Sequence, residues 1–387
     1  MNNKLRTTNY ESRATSNERR GFTLIELVVS VALIVMVLVF AGSIFKVSIG
    51  SYRMASANAE IMQKLRAITE QLNADFKGLR KDAPLLIWFQ LDPVDPNNRF
   101  DQIMFFADGD FQSTRTYDLP FGATHKEPAA TGSPVYSNAA RIYYGHAMVW
   151  SDTVGDFVQP WQQQGNNQAE RVLNLRRRSL ARRQHLLTAD DSIIHWPNPD
   201  SAFFSGSFTA VANNEFEHDS ISLSQWQAIT RDITNNPTNN NTLITTCFNF
   251  RPPMNFRNGA GLYMLMTEGV SSISIQWGYR YRVSPGPPPV DVFFWWPSID
   301  PDGNLNFADS DFGLTGMNRN AFGIYFNLPG GVNPGLVWFP PDQIVARYTS
   351  FRPDFFPDAL KFTFTLYDSK GVFREGQTFT HIVYLDN

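Results

Sequence analysis

The chain has 387 residues, with 33 basic and 36 acidic side chains and a formal net charge of −3. A content of 43% hydrophobic and 14% aromatic residues is typical of a packed globular protein and excludes a largely disordered chain. The near balance of charge argues against nucleic acid as the main partner. Cys247 is the single cysteine, which excludes an intrachain disulfide, so the fold must be held by its core.

The first 45 residues divide into a polar segment and an apolar one. Residues 1–21 hold five basic and two acidic side chains, and residues 22–45 are apolar or small apart from Glu26. An α-helix of 24 residues spans roughly 36 Å, enough to cross a hydrocarbon core of about 30 Å. The basic segment predicts that residues 1–21 lie in the cytoplasm and the chain after Phe45 outside it. Without residues 1–21 the net charge falls to −6, so the remaining chain is mildly acidic.

Glu26 is the unusual residue of the apolar segment. A charge within hydrocarbon costs about 2.5–3.5 kcal/mol, so this carboxylate needs a partner or a route to water. One simple interpretation is an ordinary signal peptide or anchor, although the apolar run exceeds the usual length of about 7–15 residues. Another is that Glu26 reaches the nearby headgroups from the start of the helix.

The residues around Glu26 favour a more specific interpretation. The sequence RRGFTLIEL, which begins at Arg19, resembles the class III leader of type IV pilins and type II secretion pseudopilins. The resemblance implies that a prepilin peptidase cleaves between Gly21 and Phe22 and methylates the new N-terminus. It also implies that Glu26 is the assembly glutamate and pairs with the N-terminal amine of a neighbouring subunit. Because a paired charge is tolerated in low dielectric and an unpaired one is not, this contact would set the register between subunits.

The next stretch predicts that the helix continues to about residue 83. No proline occurs from Phe22 to Ala83, and Pro84 supplies the stop. Residues 46–83 carry apolar or small side chains at steps of three and four, which is typical of an amphipathic helix packed on a sheet. The irregular spacing argues against a parallel coiled coil. The stripe comprises Ala55, Ala59, Met62, Leu65, Ile68, Leu72, Phe76 and Leu79.

Residues 84–387 contain short strand-like runs separated by turn residues, which predicts a globular, antiparallel β-rich domain. The late strands are the clearest, because apolar side chains alternate strictly along them and a turn at Asp368–Gly371 joins the last two as a hairpin. A helix followed by antiparallel strands predicts an α+β fold with a long pilin-like helix on the sheet. The predicted strands are 85–91, 102–107, 140–150, 271–283, 359–368 and 377–385.

Two stretches of this domain have more than one interpretation. Residues 169–187 are strongly basic and predict either a patch for anionic lipid or an acidic partner, or the solvated face of a helix or edge strand. The aromatic run at residues 293–296 is either a contact patch or part of the core, and its large apolar area favours the core.

The order of the late strands supports a finer resemblance. A strand at residues 271–283, an insertion and the closing hairpin are similar to the C-terminal part of J-type minor pseudopilins of type II secretion systems. The resemblance implies a low-copy subunit, and the large domain agrees, because it would crowd a tightly repeating shaft.

The sequence offers little for catalysis. The six histidines lack metal-ligand spacing, and no nucleophile or phosphate-loop motif occurs. Asp108 and Asp110 are interpreted as turn formers. Oxygen-bearing side chains at alternate positions suit calcium in residues 300–311, where Asp300, Asp302 and Asn304 are the candidate ligands, although the loop departs from the EF-hand pattern. Apart from this weak calcium candidate we expect no cofactor, and we expect that the protein is not an enzyme.

The function that these features favour is that of a minor pseudopilin in a type II secretion pseudopilus or a related filament. We expect a single-pass inner-membrane protein with a periplasmic domain after residue 45, later part of a periplasmic filament. Its expected partners are the prepilin peptidase, other major and minor pseudopilins and the inner-membrane assembly platform. The alternatives are a minor type IV pilin for adhesion or DNA uptake, and a membrane-anchored periplasmic enzyme or carbohydrate-binding protein with a pilin-like leader.

Overall fold

The computed structural model describes residues 22–83, 85–90, 92, 98–117, 132–160, 162, 176–188, 217–219, 251–257, 259, 261–282, 291–296, 321–326, 336–338, 344–346 and 356–385. In these residues one long α-helix precedes antiparallel β-sheets, which confirms the α+β, pilin-like arrangement. The chain divides into two compact units, Met1–Ala55 and Ser56–Asn387. The helix is α1 (Leu24–Lys77). The strands are β1 (Leu85–Gln90), β2 (Gln102–Tyr117), β3 (Ser133–His146), β4 (Met148–Ser151), β5 (Asp156–Val158), β6 (Ser179–Leu187), β7 (His218–Asp219), β8 (Pro253–Met254), β9 (Leu265–Glu268), β10 (Val270–Arg282), β11 (Asp291–Trp296), β12 (Ala321–Phe326), β13 (Leu336–Trp338), β14 (Ile344–Ala346), β15 (Ala359–Leu366) and β16 (Gln377–Tyr384).

Helix α1 is shorter than the sequence predicts at both ends. It begins two residues after Phe22, and it ends at Lys77 rather than at Pro84. At Gly78 the backbone turns against β2, and a Cβ atom there would lie 2.1 Å from the carbonyl oxygen of Asp108. The amide of Asp108 donates to the carbonyl oxygen of Gly78 at 2.8 Å, and the amide of Arg80 donates to that of Phe106 at 2.9 Å. Pairing with a strand therefore ends the helix before the proline is reached.

The second part of α1, from Ser56 onward, packs into the globular unit along one face. Its buried apolar residues are Ala57, Ile61, Ile68, Leu72 and Phe76. The predicted stripe is correct from Leu65 onward, since Leu65 is partly buried against the core, but wrong before it, since Ala55 and Ala59 are exposed and Met62 is 54% exposed. Small residues at three- and four-residue steps fit two neighbouring faces of a helix equally well. The face that is buried is the one that carries Ile61.

The strands form three sheets among the described residues. The largest has nine strands in the order β14-β13-β12-β1-β2-β3-β6-β7, with β9 also paired to β6. A second sheet has the order β11-β10-β15-β16, and a third the order β5-β4-β8. The predicted closing hairpin is confirmed, with Ala359 opposite Tyr384 and Leu366 opposite Gln377. The early pair β1–β2 is also antiparallel.

One hydrophobic core lies between α1 and the two larger sheets. The ring of Phe76 stacks on Phe105 of β2 with centroids 4.2 Å apart and lies 5.8 Å from Phe362 of β15. Across the sheets, Phe89 of β1 lies 5.6 Å from Trp277 of β10. The end of the helix therefore fills the space between both sheets.

Polar contacts fix α1 to each larger sheet separately. Glu60 accepts hydrogen bonds from the amide and hydroxyl of Ser369, both at 2.9 Å, in the turn between β15 and β16. One turn later, Lys64 donates to the carbonyl oxygen of Tyr367 at 2.9 Å. Near the other end, Asp75 pairs with Arg182 of β6 through Nε at 2.6 Å and Nη2 at 2.7 Å. The helix is thus held at two points along its length.

The basic stretch of residues 169–187 contributes an inner strand, so both interpretations of it are wrong for the described part. Strand β6 lies between β3 and β7 in the nine-stranded sheet, and Arg178 and Arg183 are buried. Arg178 donates to the carbonyl oxygen of Ser271 at 3.0 Å and lies 3.5 Å from Asp92. Burial of Arg178 is tolerated because a carboxylate and a carbonyl oxygen from distant segments lie beside it.

One smaller prediction also changes, and one stretch is placed in a strand. Asp108 and Asp110 lie within β2, at a register shift next to Phe111 rather than in a turn. Asp108 pairs with Arg80 at 2.9 Å. The aromatic run at residues 293–296 belongs to β11, which pairs with β10. Its Trp295 is partly buried, with the ammonium of Lys361 4.7 Å from the ring centroid.

His146 is a buried histidine whose pKa predicts a loss of stability in acid. Its Nε2 donates to the carbonyl oxygen of Val270 at 2.7 Å. Burial, and then the charge of Arg251, lowers the pKa to about 3. Folding lowers the pKa of His146, so the neutral imidazole contributes its full stability above about pH 6.5. This contribution to the free energy of unfolding is lost as the pH falls towards 3. At pH 5 the loss is about 2 kcal/mol.

Denaturant titration of the detergent-solubilised chain at about pH 7.5 and pH 5, followed by tryptophan fluorescence, measures this loss. His146→Gln is the matched variant, because its amide can donate to Val270 and does not titrate. We expect the wild-type chain to lose about 2 kcal/mol more than the variant between the two pH values. Equal losses would rule out His146 as the cause.

Candidate assembly site at the helix N-terminus

Residues 22–26 form a closed hydrogen-bonded cap at the start of α1. The amide and the hydroxyl of Thr23 both donate to Oε2 of Glu26 at 2.9 Å. The amide of Glu26 in turn approaches Oγ1 of Thr23 at 3.4 Å. This reciprocal arrangement is a capping box, which satisfies amides that have no partner in the first turn of a helix. Glu26 therefore stabilises its own helix start, and Phe22 before it is 82% exposed.

Glu26 keeps the capacity to bind a second donor. In the described residues both bonds from Thr23 go to Oε2, and Oε1 accepts none. An ionised carboxylate has about four acceptor positions on its two oxygens. A cation from outside the chain can therefore bind Oε1 while the cap stays closed, which is what the predicted pairing with a neighbouring amine requires. Gly21, on the other side of the predicted cleavage site, lies outside the described residues.

The charge pattern along α1 places Glu26 at one end of an uncharged segment. Residues 27–45 contain no charged side chain, and Lys46 follows them. These 19 residues extend about 29 Å as a helix, close to the thickness of a hydrocarbon core of about 30 Å. The two hydroxyls in the segment bond to their own helix, Ser30 to the carbonyl oxygen of Glu26 at 2.7 Å and Ser43 to that of Val39 at 3.0 Å. The helix is long and apolar enough to cross a membrane.

The pairing of Thr23 with Glu26 is missing from the sequence-based prediction. A threonine followed three residues later by a glutamate, before an apolar run, is a recognisable capping-box signal. The interpretation of Glu26 as a charge within hydrocarbon does not include this local partner.

The described residues show no metal centre. They contain no group of three or more histidine, cysteine, aspartate or glutamate side chains that could hold an ion. The calcium candidates Asp300, Asp302 and Asn304 lie outside the described residues, as does Cys247. The calcium prediction therefore stays a prediction.

Comparison with known proteins identifies a motif in the N-terminal segment. The family described as "Prokaryotic N-terminal methylation motif" matches residues 16–42, the segment that holds Gly21, Phe22 and Glu26. No curated protein and no solved structure matches the chain. The motif implies processing by a prepilin peptidase and assembly with other pilin-like subunits, and it favours a structural subunit over an enzyme. The motif supports a type IV pilin-like leader, and the one helix of the described residues that is long and apolar enough to cross a membrane fits a membrane-anchored, pilin-like protein.

Proposed function

We propose that the protein is a minor pseudopilin, a structural subunit of a type II secretion pseudopilus or a related filament. The observation that carries the proposal is the capped carboxylate of Glu26, placed within the methylation motif at the end of 19 uncharged helical residues. In the proposed topology, residues 1–21 are cytoplasmic, residues 22–45 span the inner membrane and the globular unit is periplasmic.

The proposed mechanism is an exchange of partners at Glu26. In the isolated subunit, Thr23 partly satisfies the carboxylate, which lowers the cost of holding it beside the hydrocarbon. Cleavage after Gly21 creates an amine at Phe22. An amine of a neighbouring subunit then binds Oε1 of Glu26 as a charge-assisted hydrogen bond, which is stronger than a neutral one. The gain on pairing favours withdrawal of the subunit into the growing filament.

The assignment as a minor, J-type subunit has separate support. Strands β10, β15 and β16 form one sheet in which the last two close the chain as a hairpin. The globular unit, Ser56–Asn387, is large for a densely repeated shaft. A position at or near the end of the filament accommodates this bulk.

Processing is tested by co-expression with a prepilin peptidase. We expect the mature chain to begin at Phe22 with an N-methyl group, as read by intact mass and N-terminal sequencing. A Gly21→Val variant is expected to accumulate uncut, whereas Gly42→Ala, where an added Cβ has nothing within 4 Å, is expected to be processed normally. A mature chain that begins at Met1 or near Gly42 would overturn the proposal.

Assembly is tested at the cap itself. We expect Glu26→Ala to be cleaved normally but to reduce co-purification with pilin-like partners by about tenfold or more, because a hydrogen bond to a charged group contributes about 1.5–3 kcal/mol. Thr23→Val removes only the hydroxyl. We expect it to have a smaller effect, since the amide of residue 23 still donates to the carboxylate of Glu26. Undiminished incorporation of the Glu26→Ala chain would contradict the mechanism.

The partners recovered in that experiment also separate the candidate functions. Type II secretion pseudopilins and the assembly platform support the proposed role. Recovery of type IV pilus subunits alone would favour a minor pilin.

A further inference from the structure

Lys46 and Arg53 are the only charged residues of α1 between Glu26 and Glu60. Both side chains are exposed, and so is every residue from 46 to 53 except the partly exposed Gly50. We name residues 46–53 the basic collar. In sequence it follows the apolar segment directly and ends before the globular unit, which begins at Ser56.

The collar differs from the rest of the helix in having no acidic partners of its own. Further along α1, Lys64 pairs with Glu60 at 2.8 Å and Arg66 with Glu70 at 2.7 Å, each one turn apart. No acidic residue occurs from residue 27 to residue 59, and the described part of the chain forms no ion pair with Lys46 or Arg53. The collar therefore presents two uncompensated positive charges.

Helix geometry brings these charges to one side and directs them back along the axis. Seven residues separate Lys46 from Arg53, which is about 10 Å along the axis and within roughly 20° around it. The Cα–Cβ bonds of a helix tilt towards its N-terminus, so both long side chains extend towards the apolar segment. Tyr52, beside Arg53, is 76% exposed and adds an aromatic ring with a polar tip.

We propose that the basic collar binds the phosphate groups of anionic phospholipids in the leaflet next to the globular unit. The proposal rests on the membrane insertion of residues 22–45 proposed above. Lys46 directly follows the 19 uncharged residues, which places it at the hydrocarbon edge. The Cα of Arg53 lies about 12 Å beyond Phe45, and its stem reaches back into an interfacial layer about 5–8 Å thick. Tyrosine favours the same layer, which fits Tyr52.

Cleavage of the leader makes the collar more important. Residues 1–21 carry five basic side chains, and all of them leave with the leader. In the mature chain Lys46 and Arg53 are then the only basic side chains before Lys64. After cleavage the collar therefore holds the only basic side chains near the span, in addition to the new N-terminal amine at Phe22.

The experiment uses the full mature chain in vesicles of phosphatidylcholine with about one-tenth phosphatidylglycerol. The membrane is then solubilised with a lipid-retaining polymer, and the lipids that stay with the protein are quantified by mass spectrometry. Each basic residue near an anionic surface contributes about a fivefold preference. We expect phosphatidylglycerol to be enriched around the wild-type chain and Lys46→Gln/Arg53→Gln to lose most of this enrichment. Lys77→Gln/Lys81→Gln removes the same charge from exposed positions of the globular unit and is expected to keep it.

Each outcome has one meaning. Enrichment that is lost with the collar, retained in the control and weakened by high salt supports the proposal. If all three chains insert and retain the same lipid composition, the proposal is overturned. The acidic surface of another protein would then be the remaining candidate to bind the collar. Failure of the wild-type chain to float with the vesicles would instead contradict the proposed membrane span, and the lipid proposal would fall with it.

Discussion

Replacing Asp75 by alanine is expected to lower the free energy of unfolding by about 3–5 kcal/mol. The side chain of Asp75 is 4% exposed and that of Arg182 is 19% exposed, so water cannot compensate for the lost pair. Asp75 also accepts hydrogen bonds from the hydroxyl of Tyr144 and, at 3.1 Å, from Gln71. Burial, and then the charge of Asp75, raises the pKa of Tyr144, so the phenol remains a proton donor. The substitution leaves a guanidinium and a phenol without their acceptor.

The exposed pair Arg66–Glu70 supplies the matched control. It also joins arginine to a carboxylate at 2.7 Å, but its side chains are 78% and 63% exposed. Glu70→Ala is expected to cost less than about 1 kcal/mol, because surface pairs contribute little. Denaturant titration of the solubilised chain measures both effects. A double variant, Asp75→Leu/Arg182→Met, is expected to recover the part of the loss that comes from the unpaired guanidinium, but not the part that comes from Tyr144, whose hydroxyl still lacks its acceptor. If Asp75→Ala cost no more than Glu70→Ala, this ion pair would not fix the helix.

Replacing Phe76 by alanine is expected to cost about 3–5 kcal/mol, as for other buried aromatic residues. Phe76 touches Phe105 of one sheet and Phe362 of the other, so the cavity would open where the helix meets both. Neither sheet can close it alone, because each is fixed by its own strand pairing.

Met62 lies on the same helix and tests whether the burial of Phe76 causes the large loss of stability. It is 54% exposed, and we expect Met62→Ala to change the free energy of unfolding by less than about 0.5 kcal/mol. The leucine of Phe76→Leu fills most of the space, so we expect its free energy of unfolding to lie between those of the two alanine variants. The same titration measures all three. Equal effects of Phe76→Ala and Met62→Ala would mean that the helix does not pack as described.

The elements that the sequence predicts correctly are those whose signals are local. The long helix follows from periodicity without proline, and the β15–β16 hairpin from alternation on either side of a short turn. The contact between Thr23 and Glu26 is local as well, since the two residues are three positions apart, and a capping-box pattern could have predicted it.

The remaining features depend on partners far away in the chain. Asp75 and Arg182 are 107 residues apart, and the many other basic residues near Arg182 in the sequence indicate a surface. Burial of β6 follows from strands on both sides of it, which no short pattern indicates. The pairing of β1 with β12 also joins segments far apart in the chain, and no short pattern indicates it. The early end of the helix also depends on a strand, because β2 binds the backbone after Gly78.

The two polar attachments of α1 have a mechanical consequence. Glu60 and Lys64 hold the helix to the turn of the four-stranded sheet, and Asp75 holds it to β6 of the nine-stranded sheet. A tension along the helix axis would load the two attachments side by side, as a shear, and each would carry part of the force. Force applied to the helix would therefore be shared between the two sheets.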